Sequence, residues 1–327
     1  MKILLISHFL DYSGAPIALL QLAKSLVKFG HSVSIAALQD GPLGVDFIQA
    51  GIKSHMQSNA AADYDLVIAN TVVSIPAALQ FTGSTQKILA WIHETEYFFE
   101  SNAIPAQNLL PRDLRFAAFV SKFQINQYEK WLPNTKKIQL KNCVEISPNI
   151  IPYHQPTPYL VCSGPWTERK AQYKLIQLLQ TLEHIPEIHF IGAHRPDGIS
   201  GDKFIFTGPL RPEDAKSRIA GSSGLISCSM DEAQPLVAVE AALMRVPVML
   251  SQIPAHRELK RYLNDILLFD PEDAMSFTLA LHVLGVQLQD KNLLDRMKED
   301  AVLSFNIDEF DKNVLDLMNF LDLELKK

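Results

Sequence analysis

Short apolar runs alternate with helix-spaced apolar positions along almost the whole chain. Buried parallel strands read as unbroken hydrophobic runs, so this alternation predicts parallel sheets covered by helices on both faces. In the first half, strands are expected at Ile3–Ser7, Val33–Ala37, Leu66–Ala69, Lys87–Ile92 and Ala117–Ser121. Pro16 suits the first turn of a helix, Ile17, Leu20, Ala23 and Val27 recur at helical spacing, and Gly30 ends that helix. A second series predicts strands at Tyr159–Cys162, Ile188–Gly192, Phe204–Thr207, Gly224–Cys228, Val246–Ser251 and Ile266–Phe269. Helices are clearest at Lys170–Leu182 and Glu213–Ala220. Between the series, Lys141–Pro158 holds Pro148, Pro152, Pro156 and Pro158 and reads as a linker. Two doubly wound α/β domains are therefore expected, 1–153 and 154–305. Phe310, Val314, Leu317, Phe320 and Leu321 make 306–327 an amphipathic terminal helix.

Composition narrows the picture. The 327 residues suit two domains of roughly 150 each. A net charge of −6 argues against a general affinity for nucleic acid. Cys143, Cys162 and Cys228 form neither a CxxC pair nor a disulfide framework, which points to a reducing, cytoplasmic compartment. The apolar run Ile3–Ile6 is too short for a signal peptide, and no run approaches the roughly 20 residues of a membrane span.

The candidate chemistry lies at strand ends, where doubly wound sheets bind ligands. Ser13-Gly14-Ala15-Pro16 joins the first strand to its helix. It is either a plain turn or a place where backbone N–H groups meet an anion. The turn is not GxGxxG and no acidic residue ends the second strand, so a nicotinamide dinucleotide site is poorly supported. His93 follows the strand Lys87–Ile92, where it can bond a hydroxyl, exchange a proton or serve only structure. No histidine spacing suits a metal, and none is expected. Arg169 and Lys170 open a helix, where positive charge opposes the helix dipole, so an anion nearby would account for them. Glu232 and Glu240 bracket seven residues. Glu240 sits in an otherwise apolar helix and needs either an ion pair or a ligand hydroxyl.

Taken together, these residues resemble the retaining family-4 glycosyltransferases of the GT-B fold. The resemblance runs through Glu232…Glu240, Pro247-Val248 and Ile253-Pro254-Ala255-His256-Arg257-Glu258. It extends to Ser13-Gly14-Ala15, Gly30-His31-Ser32-Val33, Trp91-Ile92-His93-Glu94 and Phe206-Thr207-Gly208-Pro209-Leu210. It implies two Rossmann-like domains facing across a cleft, with the terminal helix crossing back onto the first. It also implies transfer of a sugar from a nucleoside-diphosphate-sugar donor to a glycan or lipid-linked acceptor with retention of configuration, without cofactor or metal. By position, Glu240 would bond the ribose hydroxyls and Glu232 the transferred sugar. Lys170, with Arg169, would neutralise the diphosphate. Backbone N–H groups near Gln234 and Leu236 would meet sugar or phosphate. His93 would lie near the reacting sugar and Gly14 near phosphate or acceptor.

Three positions depart from the family pattern: Pro165 stands for an arginine, and Ala171 and Arg245 each stand for a glycine. A sugar-nucleotide epimerase and a non-catalytic nucleotide- or sugar-binding subunit are the alternative readings. Lys122, Lys130, Lys136, Lys137 and Lys141, with Trp131, form either a solvated face or a surface for peripheral contact with the inner membrane face.

Overall fold

The computed structural model describes residues 1–54 and 64–327. The chain divides into two compact units, Met1–Cys143 with Ile307–Lys327, and Val144–Asn306.

The first unit runs β1 (Lys2–Phe9), α1 (Gly14–Lys28), β2 (Ser32–Gln39), α2 (Gly44–Gln49), β3 (Lys53–Ser54), β4 (Leu66–Asn70), α3 (Ile75–Thr82), β5 (Ile88–Ile92), α4 (Glu96–Ser101), β6 (Phe116–Phe119), α5 (Lys122–Tyr128) and β7 (Lys136–Gln139). All seven strands are parallel, in the order β3-β2-β1-β4-β5-β6-β7. Every residue of β4, β5 and β6 is buried, as their unbroken apolar sequences require. The helix predicted from Pro16 is α1, and Gly30, at φ +80, turns the chain out of it.

The second unit runs β8 (Tyr159–Ser163), α6 (Gln172–Gln180), β9 (Glu187–Ile191), β10 (Phe204–Gly208), α7 (Pro212–Ala220), β11 (Gly224–Ser227), α8 (Leu236–Leu243), β12 (Val248–Ser251), α9 (Pro254–Leu259), β13 (Leu267–Phe269), α10 (Ala274–Gln287) and α11 (Lys291–Phe305). Its six strands are parallel, in the order β10-β9-β8-β11-β12-β13. Both sheets thus reverse direction beside their first strand, at β1/β4 and at β8/β11. That is where a doubly wound sheet opens a crevice at the carboxyl ends of its strands.

The division falls after Cys143, ahead of the boundary expected at 153/154. The proline-rich segment is tied to the second unit: Val144 N–H donates to Phe305 O (2.9 Å) and Tyr153 N–H to Ser217 O (2.9 Å). The Ser217 hydroxyl donates to Ile151 O (2.6 Å). The terminal helix α12 (Ile307–Leu325) belongs to the first unit. It buries Phe310, Val314, Leu317, Met318 and Leu321 there. Asp311 accepts from Ser25 Oγ (2.5 Å) and Lys28 Nζ (2.6 Å) on α1.

Candidate functional site

In the second unit, the loops after β8 and β11 bring Arg169, Lys170 and Glu232 together. Lys170 Nζ lies 2.5 Å from Glu232 Oε1, and Arg169 Nη1 lies 3.1 Å from Oε2. Arg169 also donates to Asp231 O (2.8 Å), and the Ser229 hydroxyl donates to Glu232 Oε1 (2.8 Å). Glu232 is only 8% exposed. Burial alone would raise its pKa, but the Lys170 and Arg169 charges hold it down to about 2. The anion that the basic pair called for is therefore supplied by this chain.

His256 on α9 backs this cluster. It is fully buried, and its Nδ1 meets Ser251 O at 2.6 Å. Its Nε2 is buried without a hydrogen-bond partner. Burial lowers its pKa to about 4, so it is a neutral imidazole near pH 7, although the Glu232 charge pulls the other way. The Ser251 hydroxyl donates to Ser229 O (2.5 Å), linking the end of β12 to the Glu232 loop.

The loop from Gly164 to Ala171 is held from inside. Gln172, buried at the start of α6, donates from Nε2 to Pro165 O (2.8 Å) and Gly164 O (3.3 Å). Gly164 has φ +134, and a Cβ there would sit 3.2 Å from Lys170 Cε, so a side chain would crowd the lysine. Two of the three departures from the family pattern carry backbone strain. Ala171 (φ +47) and Arg245 (φ +60) hold the left-handed conformation that glycine adopts without penalty.

Glu240 on α8 faces Lys216 of α7 at 3.6 Å. Burial raises its pKa, and Lys216 opposes the rise. Of the two ways of satisfying a carboxylate in an apolar helix, the ion pair is present. Ahead of α8 the chain makes a three-residue turn at Pro235 (φ −80, ψ 80). The Leu236 N–H, expected to meet sugar or phosphate, donates there to Gln234 O (3.0 Å).

In the first unit, the ends of β1, β4 and β5 and the start of α1 form a second polar cluster. His93 Nε2 lies 2.9 Å from Asn70 Oδ1, and Asn70 Nδ2 donates to Ala15 O (3.0 Å), next to Gly14. Thr71 Oγ1 lies 3.3 Å from His8 Nδ1. Burial, helped by the neighbouring His8, lowers the His93 pKa to about 3. Glu94 Oε2 accepts from the backbone N–H groups of Val72 (3.1 Å) and His93 (3.2 Å). Its carboxyl is nonetheless pushed by burial to about 7. Asn70, Thr71 and His8 were not singled out in the sequence. Their signal is weak: polar residues closing apolar strands, which only the strand order makes neighbours.

The lysine-rich face is largely neutralised. Lys130 pairs with Glu96 (2.6 Å), Lys137 with Glu129 (2.8 Å) and Lys136 with Glu324. No helix among the described residues is long and apolar enough to cross a membrane. The described residues contain no group of three acidic, histidine or cysteine side chains placed to hold a metal.

No curated protein matches the sequence. Residues 1–150 match the model for glycosyl-transferase family 4, and residues 157–284 match that for glycosyl transferases group 1. Among solved structures, the chain is similar to Anabaena HepE in complex with UDP-glucose. The TM-score is 0.79 at 16% identity, covering 98% of this chain and 99% of that one. It is also similar to sucrose-phosphate synthase from Thermosynechococcus elongatus, with TM-score 0.76 at 15% identity over 99% and 100% of the two chains. A glycosyltransferase from Rickettsia africae gives 0.71 at 15% identity over 98% of each chain. At such identities the likeness speaks to the fold, which in both units is the parallel, doubly wound arrangement described above. With both halves matched by glycosyltransferase families and the fold shared with these enzymes, the chain belongs to the family-4, group 1 glycosyltransferases of the GT-B fold.

Proposed function

We propose that this glycosyltransferase takes its sugar from a nucleoside-diphosphate donor and transfers it, with retention of configuration, to a glycan or lipid-linked acceptor in the cytoplasm. The observation that carries the reading is the Glu232 carboxylate, buried between Lys170 and Arg169 at the β8/β11 switch point. On donor binding, Lys170 and Arg169 turn part of their charge to the diphosphate. There they stabilise the negative charge that grows as the sugar–phosphate bond breaks. Glu240 takes the ribose hydroxyls, in exchange for its long contact with Lys216. Glu232 takes hydroxyls of the transferred sugar, with Gln234 and the start of α8 beside it. His93 and the α1 start at Gly14 serve the acceptor side of the reaction.

The electrostatics favour same-face departure and attack over a glycosyl-enzyme intermediate. Glu232 is bound by two cations and a hydroxyl, which makes it a hydroxyl acceptor and a poor nucleophile. The uridine nucleotide of the HepE complex makes UDP-sugars the first donors to test. The experiment is incubation with nucleotide-sugars and a set of glycan and lipid-linked acceptors. Release of nucleoside diphosphate is followed, and the new linkage is assigned by NMR. An acceptor-dependent release giving a product with the donor's anomeric configuration supports the reading. Inversion, or conversion of the nucleotide-sugar without acceptor as an epimerase would show, refutes it. Pro165, in the place of the family arginine, is the observation that favours a non-catalytic binding subunit. Tight donor binding with no transfer would decide for that.

A further inference from the structure

The polar cluster of the first unit carries a residue assignment that the family reading does not supply. Asn70 closes β4, is fully buried, and lies between the start of α1 and His93. A carbonyl oxygen can only accept a hydrogen bond. The Ala15 carbonyl, 3.0 Å away, therefore requires the Asn70 amide nitrogen to face it. That leaves Oδ1, an obligate acceptor, facing His93 Nε2 at 2.9 Å, so Nε2 carries the proton. Partly buried and beside His8, the ring is held neutral near pH 7 by desolvation, so its Nδ1 bears the lone pair. We propose that Asn70 is a positioning residue: clamped by the Ala15 carbonyl, it holds His93 as the Nε2–H tautomer and leaves Nδ1 to accept a hydrogen bond from a substrate hydroxyl. The next residue, Thr71, shows how tightly this corner is fixed. It holds φ +88, a conformation that a β-branched residue rarely adopts, and its N–H donates to Trp91 O (2.9 Å). The titratable groups around His93 are His8, reached through Thr71, and Glu94, whose carboxyl accepts the His93 backbone N–H rather than the ring.

The substrate half of this assignment rests on the proposed role of His93, whereas the tautomer does not. The test uses the whole protein with 15N-labelled histidine, observing imidazole nitrogens from pH 5 to 8, with the His93 signals assigned by their loss in His93→Gln. The wild type is expected to show protonated Nε2 and unprotonated Nδ1 throughout. Asn70→Leu is expected to release the lock and show Nδ1–H or a mixture. It should also lower kcat, by roughly 10–100-fold if the loss matches that seen for the orienting partners of metal-bound histidines. Asn70→Asp should restore Nε2–H and raise the His93 pKa, making turnover fall at the acid end of the range. A Nδ1–H tautomer in the wild type, or protonation of His93 near pH 6.5, overturns the assignment without any folded variant. Unchanged kcat in a folded Asn70→Leu overturns the positioning role. If no variant or wild-type preparation turns over any donor, the proposed function fails while the tautomer stands on the spectra alone.

Discussion

Replacing Glu232 with glutamine isolates the charge on which the C-terminal site is built. Glutamine keeps the shape and the capacity to accept from Ser229, but leaves Lys170 and Arg169 facing each other without a counter-charge. The carboxyl pKa is lowered from 4.5 to about 2. At about 1.4 kcal/mol per unit, that corresponds to roughly 3 kcal/mol of favourable interaction near pH 7. Arg169 is 36% exposed, so solvent screens part of its share, and a loss of about 2–3 kcal/mol is expected. The sign with pH follows from a depressed acid. The stabilisation is complete above the unfolded value of 4.5 and is lost as pH falls toward about 2. Urea unfolding of wild type and Glu232→Gln, followed by circular dichroism, should show a lower midpoint for the variant at pH 7. The gap should narrow steadily below pH 4.5. An unchanged midpoint at pH 7, or a gap that widens in acid, would show that Lys170 and Arg169 do not stabilise the Glu232 carboxylate in this way. Glu232→Ala should likewise cost folding, so activity in either variant has to be corrected for the folded fraction.

Asp311→Ala removes the acceptor of Ser25 and Lys28, and should cost about 1–3 kcal/mol. Hydrogen exchange across Ile307–Leu325 should rise, and exchange at the wild-type rate would contradict this anchoring. Gly221→Ala places a Cβ 2.0 Å from Tyr153 O and should destabilise the second unit by about 3 kcal/mol as the linker is pushed away. A Tm equal to wild type would sink that prediction. Arg245→Gly relieves a left-handed conformation worth about 1 kcal/mol and gives up an ion pair with Asp295 whose side chains are both about half exposed. The Tm should stay level or rise, and a clear fall would show that the Arg245 side chain matters more than its backbone.

The strands buried on both faces were legible because an unbroken apolar run has few other uses. β1, β4, β5, β8 and β9 lie within a residue or two of where the pattern put them. β7, a half-exposed edge strand of sequence KKIQ, left no such trace. Glu232, Lys170 and His93 stand out in the sequence through their motifs, but which residues each of them contacts does not. The Lys170–Glu232 contact joins residues 62 apart in the chain, and no local pattern encodes it. Lys216 as the partner of Glu240, and Glu129 and Glu324 as partners of the basic face, were hidden for the same reason. Asn70 was missed because an asparagine at a strand end is ordinary until the strand order sets it between Ala15 and His93.

Under the proposed function, Lys170 and Arg169 hold a nucleoside diphosphate. Thermal unfolding of the wild type and of Lys170→Met with UDP, GDP, ADP, CMP and their sugars puts this to the test. Selective stabilisation by one nucleoside diphosphate is predicted, reaching about 2.7 kcal/mol at 100 times the dissociation constant, and should be largely lost in Lys170→Met. Stabilisation by none of them, or the same stabilisation in a folded Lys170→Met, would show that the basic pair does not hold a nucleoside diphosphate.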